Sequence, residues 1–352
     1  MSRKARVLAV SIVISISVTG CGAANAVLGI HPPPKVNPSA VPLTPDQAKT
    51  ILIRDFAAAQ QGDTSAGATV RDVLRAAYTG EGLRAANARV KLAKLQPTGA
   101  VSPLLAPQQP RLVAVPRGFG FPRVILAQTI ASQGPLPILY LLTSPDSATP
   151  YRIRESATML LSTSLKPFDS LATGSPLVTG GAGLAVTPAA LLGAYAAGMA
   201  FPAKAVANPP FVADIFSGQV RSKAASVAKA VEAQATFSQT HKVVPDSVYA
   251  VRQVSGDALV FGVIERTDSF AVKAGQAVNT EANKEFVLFS GKKSVTKSAR
   301  ITWLESVALA VPRSAGRATW VAAAPQVVPG SASCSGPAAA PAPPGPPTPH
   351  AP

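Results

Sequence analysis

Ile301-Thr302-Trp303-Leu304-Glu305-Ser306-Val307-Ala308-Leu309-Ala310-Val311 alternates with a period of two. In an extended chain Ile301, Trp303, Glu305, Val307, Leu309 and Val311 share a face, and that face is apolar except for one carboxylate. A strand of this kind belongs in a half-buried sheet, and burying Glu305 without a partner would be costly. The same arrangement stands 150 residues earlier, where Glu155-Ser156 lies in a strand pattern with Tyr151, Ile153, Glu155, Ala157 and Met159 on one face.

Working outward from the two Glu-Ser pairs, each is preceded by short apolar runs and, before those, by helical spacing. Leu112 to Val115, Val124 to Ile130 and Ile138 to Leu142 are runs separated by Gly and Pro, which read as antiparallel strands. In the later half, Val248 to Val254 and Leu259 to Glu265 flank the turn Ser255-Gly256-Asp257, and Phe286-Val287-Leu288-Phe289 reads as a further strand. Thr44-Pro45-Asp46-Gln47 carries the residues of a capping box and opens a helix with Ile51, Leu52, Phe56 and Ala59 at helical spacing, ended by Gly62. A second helical stretch covers about 69–95, interrupted near Gly80 and Gly82. Thr187-Pro188 repeats the cap 143 residues after Thr44-Pro45, followed by Leu191, Leu192, Tyr195 and Met199 and then by a helix spanning about Phe211 to Phe237. The reading is an α+β fold with two tandem modules, 44–173 and 187–324, each a helix pair packed on an antiparallel sheet. A flexible, Gly-rich linker at 174–186 joins them.

The flanks read differently. Arg3, Lys4 and Arg6 precede an apolar run, Val7 to Val18, that is shorter than the ~20 residues of a spanning helix, so 1–20 reads as an export signal. Val18-Thr19-Gly20-Cys21 resembles the bacterial lipobox, whose cysteine is acylated before cleavage. Residues 21–43, with Pro32, Pro33, Pro34, Pro38 and Pro42, form a tether in polyproline-like geometry. From Pro325 onward 10 of 28 residues are proline and none is Lys, Arg, Asp or Glu, which marks 325–352 as a disordered tail unable to bury a core. With Cys21 acylated, Cys334 has no intrachain disulfide partner.

The formal charge is +16, and +13 once Arg3, Lys4 and Arg6 are removed with the signal. On an exported chain that excess either simply keeps the body in solution or favours anionic lipid or wall polymer as partners over nucleic acid. The chain is expected to be a monomer on the extracytoplasmic face of the membrane, held by its lipid anchor.

Taken together with Gly118-Phe119-Gly120-Phe121-Pro122-Arg123 before a strand and Gly183-Leu184-Ala185-Val186-Thr187-Pro188 opening the second half, the lipobox and the Glu-bearing last strand of each half carry a resemblance. The chain resembles a family of actinobacterial membrane lipoproteins of unassigned function, built from two tandem modules similar to the nuclear transport factor 2 fold. The resemblance covers about 42–311, with Phe121 where family members tend to carry Trp. It implies a cone-shaped sheet whose concave face can line a pocket, and it lends no catalytic residues.

Glu155 and Glu305, with Arg123 and Trp303, are the candidate pocket residues. Each glutamate is either a pocket carboxylate with a raised pKa, or the partner of a sheet arginine such as Arg123, Arg152 or Arg252, or an edge residue in solvent. His241 is expected in a solvated loop. Ser226-Val227-Ala228-Lys229 and Ser294-Val295-Thr296-Lys297 fit Ser-x-x-Lys but lack the companion elements of penicillin-binding enzymes. No metal-ligating or nucleotide-binding motif is present, so no cofactor is expected. The function expected is a non-enzymatic module that binds a small ligand, a partner protein or an anionic envelope polymer. The alternatives are an envelope enzyme using Glu155 or Glu305 as acid or base, and an architectural spacer.

Overall fold

A computed structural model describes residues 39–64, 70–95, 108–118, 120–130, 136–204, 206–328 and 333–335. The export signal, Cys21 and most of the tether lie outside these residues. Helix α1 (Pro45–Thr64) starts as its capping box requires. Gln47 N donates to Thr44 Oγ1 at 3.2 Å, and Thr44 N donates to Gln47 Oε1 at 2.8 Å. The helix runs through Gly62 instead of ending there. A Cβ at that position would stand 2.7 Å from Leu74 Cδ2, so the glycine serves a close helix crossing rather than a break. Helices α2 (Val70–Ala77) and α3 (Gly80–Leu92) follow, divided at Tyr78 and Thr79, with Gly80 at φ +51°.

Five strands come next: β1 (Gln108–Ala114), β2 (Pro116–Arg117), β3 (Arg123–Ile130), β4 (Pro137–Ser144) and β5 (Arg152–Met159), then the short β6 (Ser175–Pro176). Helix α4 (Pro188–Gly198) is capped by Thr187, whose Oγ1 accepts from Ala190 N, and α5 (Ile215–Val231) by Asp214, which accepts from Ser217 N. The remainder comprises β7 (Ala235–Val243), β8 (Tyr249–Arg252), β9 (Ala258–Val272), β10 (Val278–Asn279), α6 (Lys284–Ser290), β11 (Ser294–Val295), β12 (Ser298–Val311), β13 (Thr319–Val327) and β14 (Ser333–Ser335).

The main sheet is antiparallel and continuous, in the order β1-β3-β4-β5-β13-β12-β9-β7, with β8 on β9 and β14 on β12. The sequence predicts two sheets. They are joined because β13 pairs with β5 at Ala322–Met159 and Ala323–Thr158. Helices cover the outer faces. Leu52, Phe56 and Leu74 pack with Ile125, Tyr140 and Ile153, while Leu191, Leu192, Tyr195 and Val220 pack with Val260, Ile264, Val307 and Leu309. A third cluster takes its buried members from strands alone. It joins Leu126, Leu139 and Leu141 to Val251, Leu259 and Phe261, so the helix-free faces of the two halves of the sheet meet. Each such side chain contributes ~1.5–3 kcal/mol on burial.

Several expectations are corrected. Phe286 to Phe289 lies in α6, not in a strand, because Asn283 Oδ1 accepts from Phe286 N and Gly291 closes the turn at φ +68°. The helix expected to reach Phe237 stops at Val231, and β7 begins at Ala235. The segment 174–186 is no free hinge. Val178 N donates to Ala250 O, Ala185 N to Pro312 O, and Arg252 holds the carbonyls of Ala182 and Gly183. The tail cannot begin at 325, since β13 pairs Pro325, Gln326 and Val327 with β12, and β14 adds Ser333–Ser335. Consequently Glu305 is not on the last strand of its half. Glu155 is on β5, the last of the four main-sheet strands in its half, whereas β13 follows the strand of Glu305. Among the described residues no helix is long and apolar enough to cross a membrane.

Candidate functional site: a cavity closed by a buried charge cluster

Strand alternation puts Gln239 and His241 of β7, Arg266 and Asp268 of β9, and Trp303 and Glu305 of β12 on the face toward α4 and α5. Register then aligns them in rows. Gln239 lies opposite Asp268 and His241 opposite Arg266 on one side, and Trp303 lies opposite Arg266 on the other. Glu305 is opposite Ile264, one diagonal step from Arg266.

Arg266 is the centre of this cluster. Its Nη1 donates to Glu305 Oε1 at 2.9 Å, its Nε stands 3.2 Å from Asp268 Oδ1, and its guanidinium carbon lies 4.3 Å from the Trp303 ring centroid. Gln239 Nε2 donates to Asp268 Oδ1 at 2.7 Å, and Trp303 Nε1 donates to Asp268 Oδ2 at 3.0 Å. His241 Nε2 is 3.4 Å from Glu305 Oε2, yet neither atom has a hydrogen-bond partner. Burial lowers the His241 pKa to about 3, helped by the Arg266 charge, so the imidazole is neutral. Burial raises the Glu305 pKa to about 7 against the pull of Arg266. The pair is therefore a neutral imidazole beside a carboxyl that titrates near neutrality, not an ion pair.

Above Arg266, Asp268 and Gln239 opens a cavity of about 530 Å³. Its walls are Val220, Ala224, Val227 and Val231 of α5, Phe237, Phe270, Val272 and Ile301 of the sheet, and Asn283 and Phe286 at the start of α6. That volume falls in the ~300–1,000 Å³ range of small-molecule sites, and an apolar wall with a few convergent polar groups is their usual composition. Lys223 stands on the rim, its Nζ 5.9 Å from the Trp303 ring centroid.

Of the four candidates read from the sequence, Trp303 lines this cavity and Glu305 braces its floor, fully buried behind Arg266. Glu305 does pair with an arginine, but with Arg266, not with Arg123, Arg152 or Arg252. Glu155 is elsewhere. A bulge at Arg154 in the β4–β5 pairing sets Glu155 opposite Leu141 and Ile153 opposite Leu142, so the two do not share a face as alternation alone predicts. Both Glu155 oxygens are buried and without a hydrogen-bond partner, and desolvation raises its pKa well above the ordinary value, favouring the neutral carboxyl. Arg123 is at the start of β3, its guanidinium 4.4 Å from the Phe121 ring, and it does not line the cavity over Arg266.

His241 is on a strand and buried, contrary to the solvated loop expected. Arg266 and Asp268 are absent from the candidates because the apolar run from Leu259 reads as ending at Glu265, and Gln239 because it falls between a helix read to Phe237 and a loop read at His241. A signal for them exists, since Arg266, Asp268 and Phe270 continue the alternation. Ser226 Oγ donates to Ser222 O on an exposed helix face, and Ser294 and Lys297 are both exposed, so neither Ser-x-x-Lys pattern builds a site. Among the described residues no group of His, Cys, Asp and Glu is placed to hold a metal ion. No family model, curated protein or solved structure matches the chain.

Proposed function

We propose that the chain is an exported, lipid-anchored binding protein whose cavity over Arg266 holds a small, mainly apolar ligand. The observation that carries this reading is the cavity itself, about 530 Å³ with Val, Phe and Ile walls and one polar end. Arg266 is already engaged by Asp268 and Glu305, and Lys223 sits exposed on the rim, so the buried polar end suits an uncharged ligand better. The export signal and Cys21 supply the address, and the family resemblance agrees with both. In this reading the fold is a tandem duplication whose sheets have merged. Its support is the strand order, in which β1-β3-β4-β5 is followed by β13-β12-β9-β7, two antiparallel sets of strands meeting at β5 and β13.

The test is binding of the neutral apolar fluorophore N-phenyl-1-naphthylamine with the cavity open and with it filled by a larger side chain. Saturable binding that the filled cavity loses supports the reading; binding that survives filling contradicts it. A second reading, an enzyme using Glu305 as acid or base, is favoured by the pKa of about 7. It is weakened by burial, because Arg266 and Trp303 stand between Glu305 and the cavity.

A further inference from the structure

A second cavity, of about 370 Å³, lies between α3 and the strands β5, β12 and β13. Leu92, Ile138 and Leu304 give it apolar walls, and Ser156, Thr158 and Ser306 line it with hydroxyls. Arg89, near the end of α3, also lines it. The Arg89 Nε and Nη2 atoms are buried and have no hydrogen-bond partner, and among the described residues no carboxylate forms an ion pair with it. The Tyr78 ring centroid is 5.5 Å from its guanidinium carbon. Glu285 is on the opposite wall and makes no ion pair with Arg89.

A guanidinium carries its charge at every physiological pH, and although Arg89 as a whole is only partly buried, leaving two of its buried N–H groups without an acceptor is costly. Helix α3 offers only its carbonyl end as compensation. We propose that this cavity is a binding site for a small organic carboxylate, with Arg89 clasping the carboxylate and the Leu92, Ile138 and Leu304 walls taking a short apolar body. The two orphaned nitrogens, Nε and Nη2, form one edge of the planar fork, which matches a carboxylate in a two-pronged bond. The site is independent of the cavity over Arg266, although Trp303 and Glu285 border both.

The experiment titrates sodium hexanoate, 1-hexanol and inorganic phosphate into the whole protein, reading tryptophan fluorescence and heat of binding. Hexanoate binds saturably, at least tenfold tighter than hexanol. Arg89→Met weakens hexanoate at least tenfold and leaves N-phenyl-1-naphthylamine binding unchanged, which separates this site from the first. Arg89→Lys, a milder change that keeps the charge, weakens hexanoate several-fold and leaves hexanol unaffected. Equal binding of hexanoate and hexanol, or undiminished hexanoate binding in both variants, overturns the proposal. Phosphate binding tighter than hexanoate overturns the carboxylate assignment.

Discussion

Glu305 and Glu155 are both buried carboxyls on strands, but their surroundings give them different consequences. Glu305 has a folded pKa of about 7, above its value of about 4.5 in an exposed chain. Its contribution to stability is therefore fully present below about pH 4.5 and is lost as pH rises through about 7. His241, lowered from 6.5 to about 3, has the opposite sign and loses its contribution as pH falls from 6.5 toward 3. Chemical denaturation of the wild type and Glu305→Gln should give curves that diverge between pH 5 and 8. The variant gains on the wild type by roughly 2–3 kcal/mol on the alkaline side, and parallel profiles would contradict the burial argument. Glu155 has no partner for either oxygen. Glu155→Met, similar in size and apolar, should raise the melting temperature at pH 7, by about 1–3 kcal/mol of stability. A fall of several degrees would mean that the carboxyl has a partner that matters.

At the scale of elements, the packing of α3 on β5 is a close approach that a single substitution can probe. A Cβ at Gly82 would stand 2.7 Å from the carbonyl oxygens of both Ile153 and Arg154, which are backbone atoms and cannot move aside. Gly82→Ala should cost about 1–3 kcal/mol, seen as a lowered denaturation midpoint with unchanged slope, and a neutral result would rule out this contact. The bulge at Arg154 lies at this approach, and it is also why alternation misplaces Glu155. Caps are legible at Thr44 and Thr187 because capping is local, set by side chains within three residues. The nature of Phe286 to Phe289 is not, since four apolar residues suit a strand or a helix turn, and Asn283 and Gly291 outside the run settle it. The start of β7 is hidden for a related reason: Thr236, Ser238 and Thr240 point away from the core and mask the alternation of Phe237, Gln239 and His241.

For the whole molecule, helix pairs followed by antiparallel strands can be read from periodicity, but the merged sheet cannot. Joining β5 to β13 is a long-range pairing between Met159 and Ala322, and nothing in either short run signals its partner. Pro325, Gln326 and Val327 of β13 read as the beginning of a tail because their place in the sheet comes from pairing with β12, not from their own hydrophobicity. The cavity follows from the same long-range geometry, since α5, β9, β12 and α6 come together only in the fold. The address rests on sequence: Cys21→Ala should move the protein from the membrane fraction to the soluble fraction or leave it unprocessed. Unchanged membrane fractionation would contradict lipid anchoring.

The central claim, that the cavity over Arg266 is a ligand site, is tested most directly by titrating N-phenyl-1-naphthylamine into the wild type and Val227→Phe, whose ring would fill the cavity from α5. The expected result is saturable, blue-shifted fluorescence with the wild type and at least tenfold weaker binding by a variant that melts as the wild type does. Equal binding by the two proteins, or no saturable binding by the wild type, would contradict it.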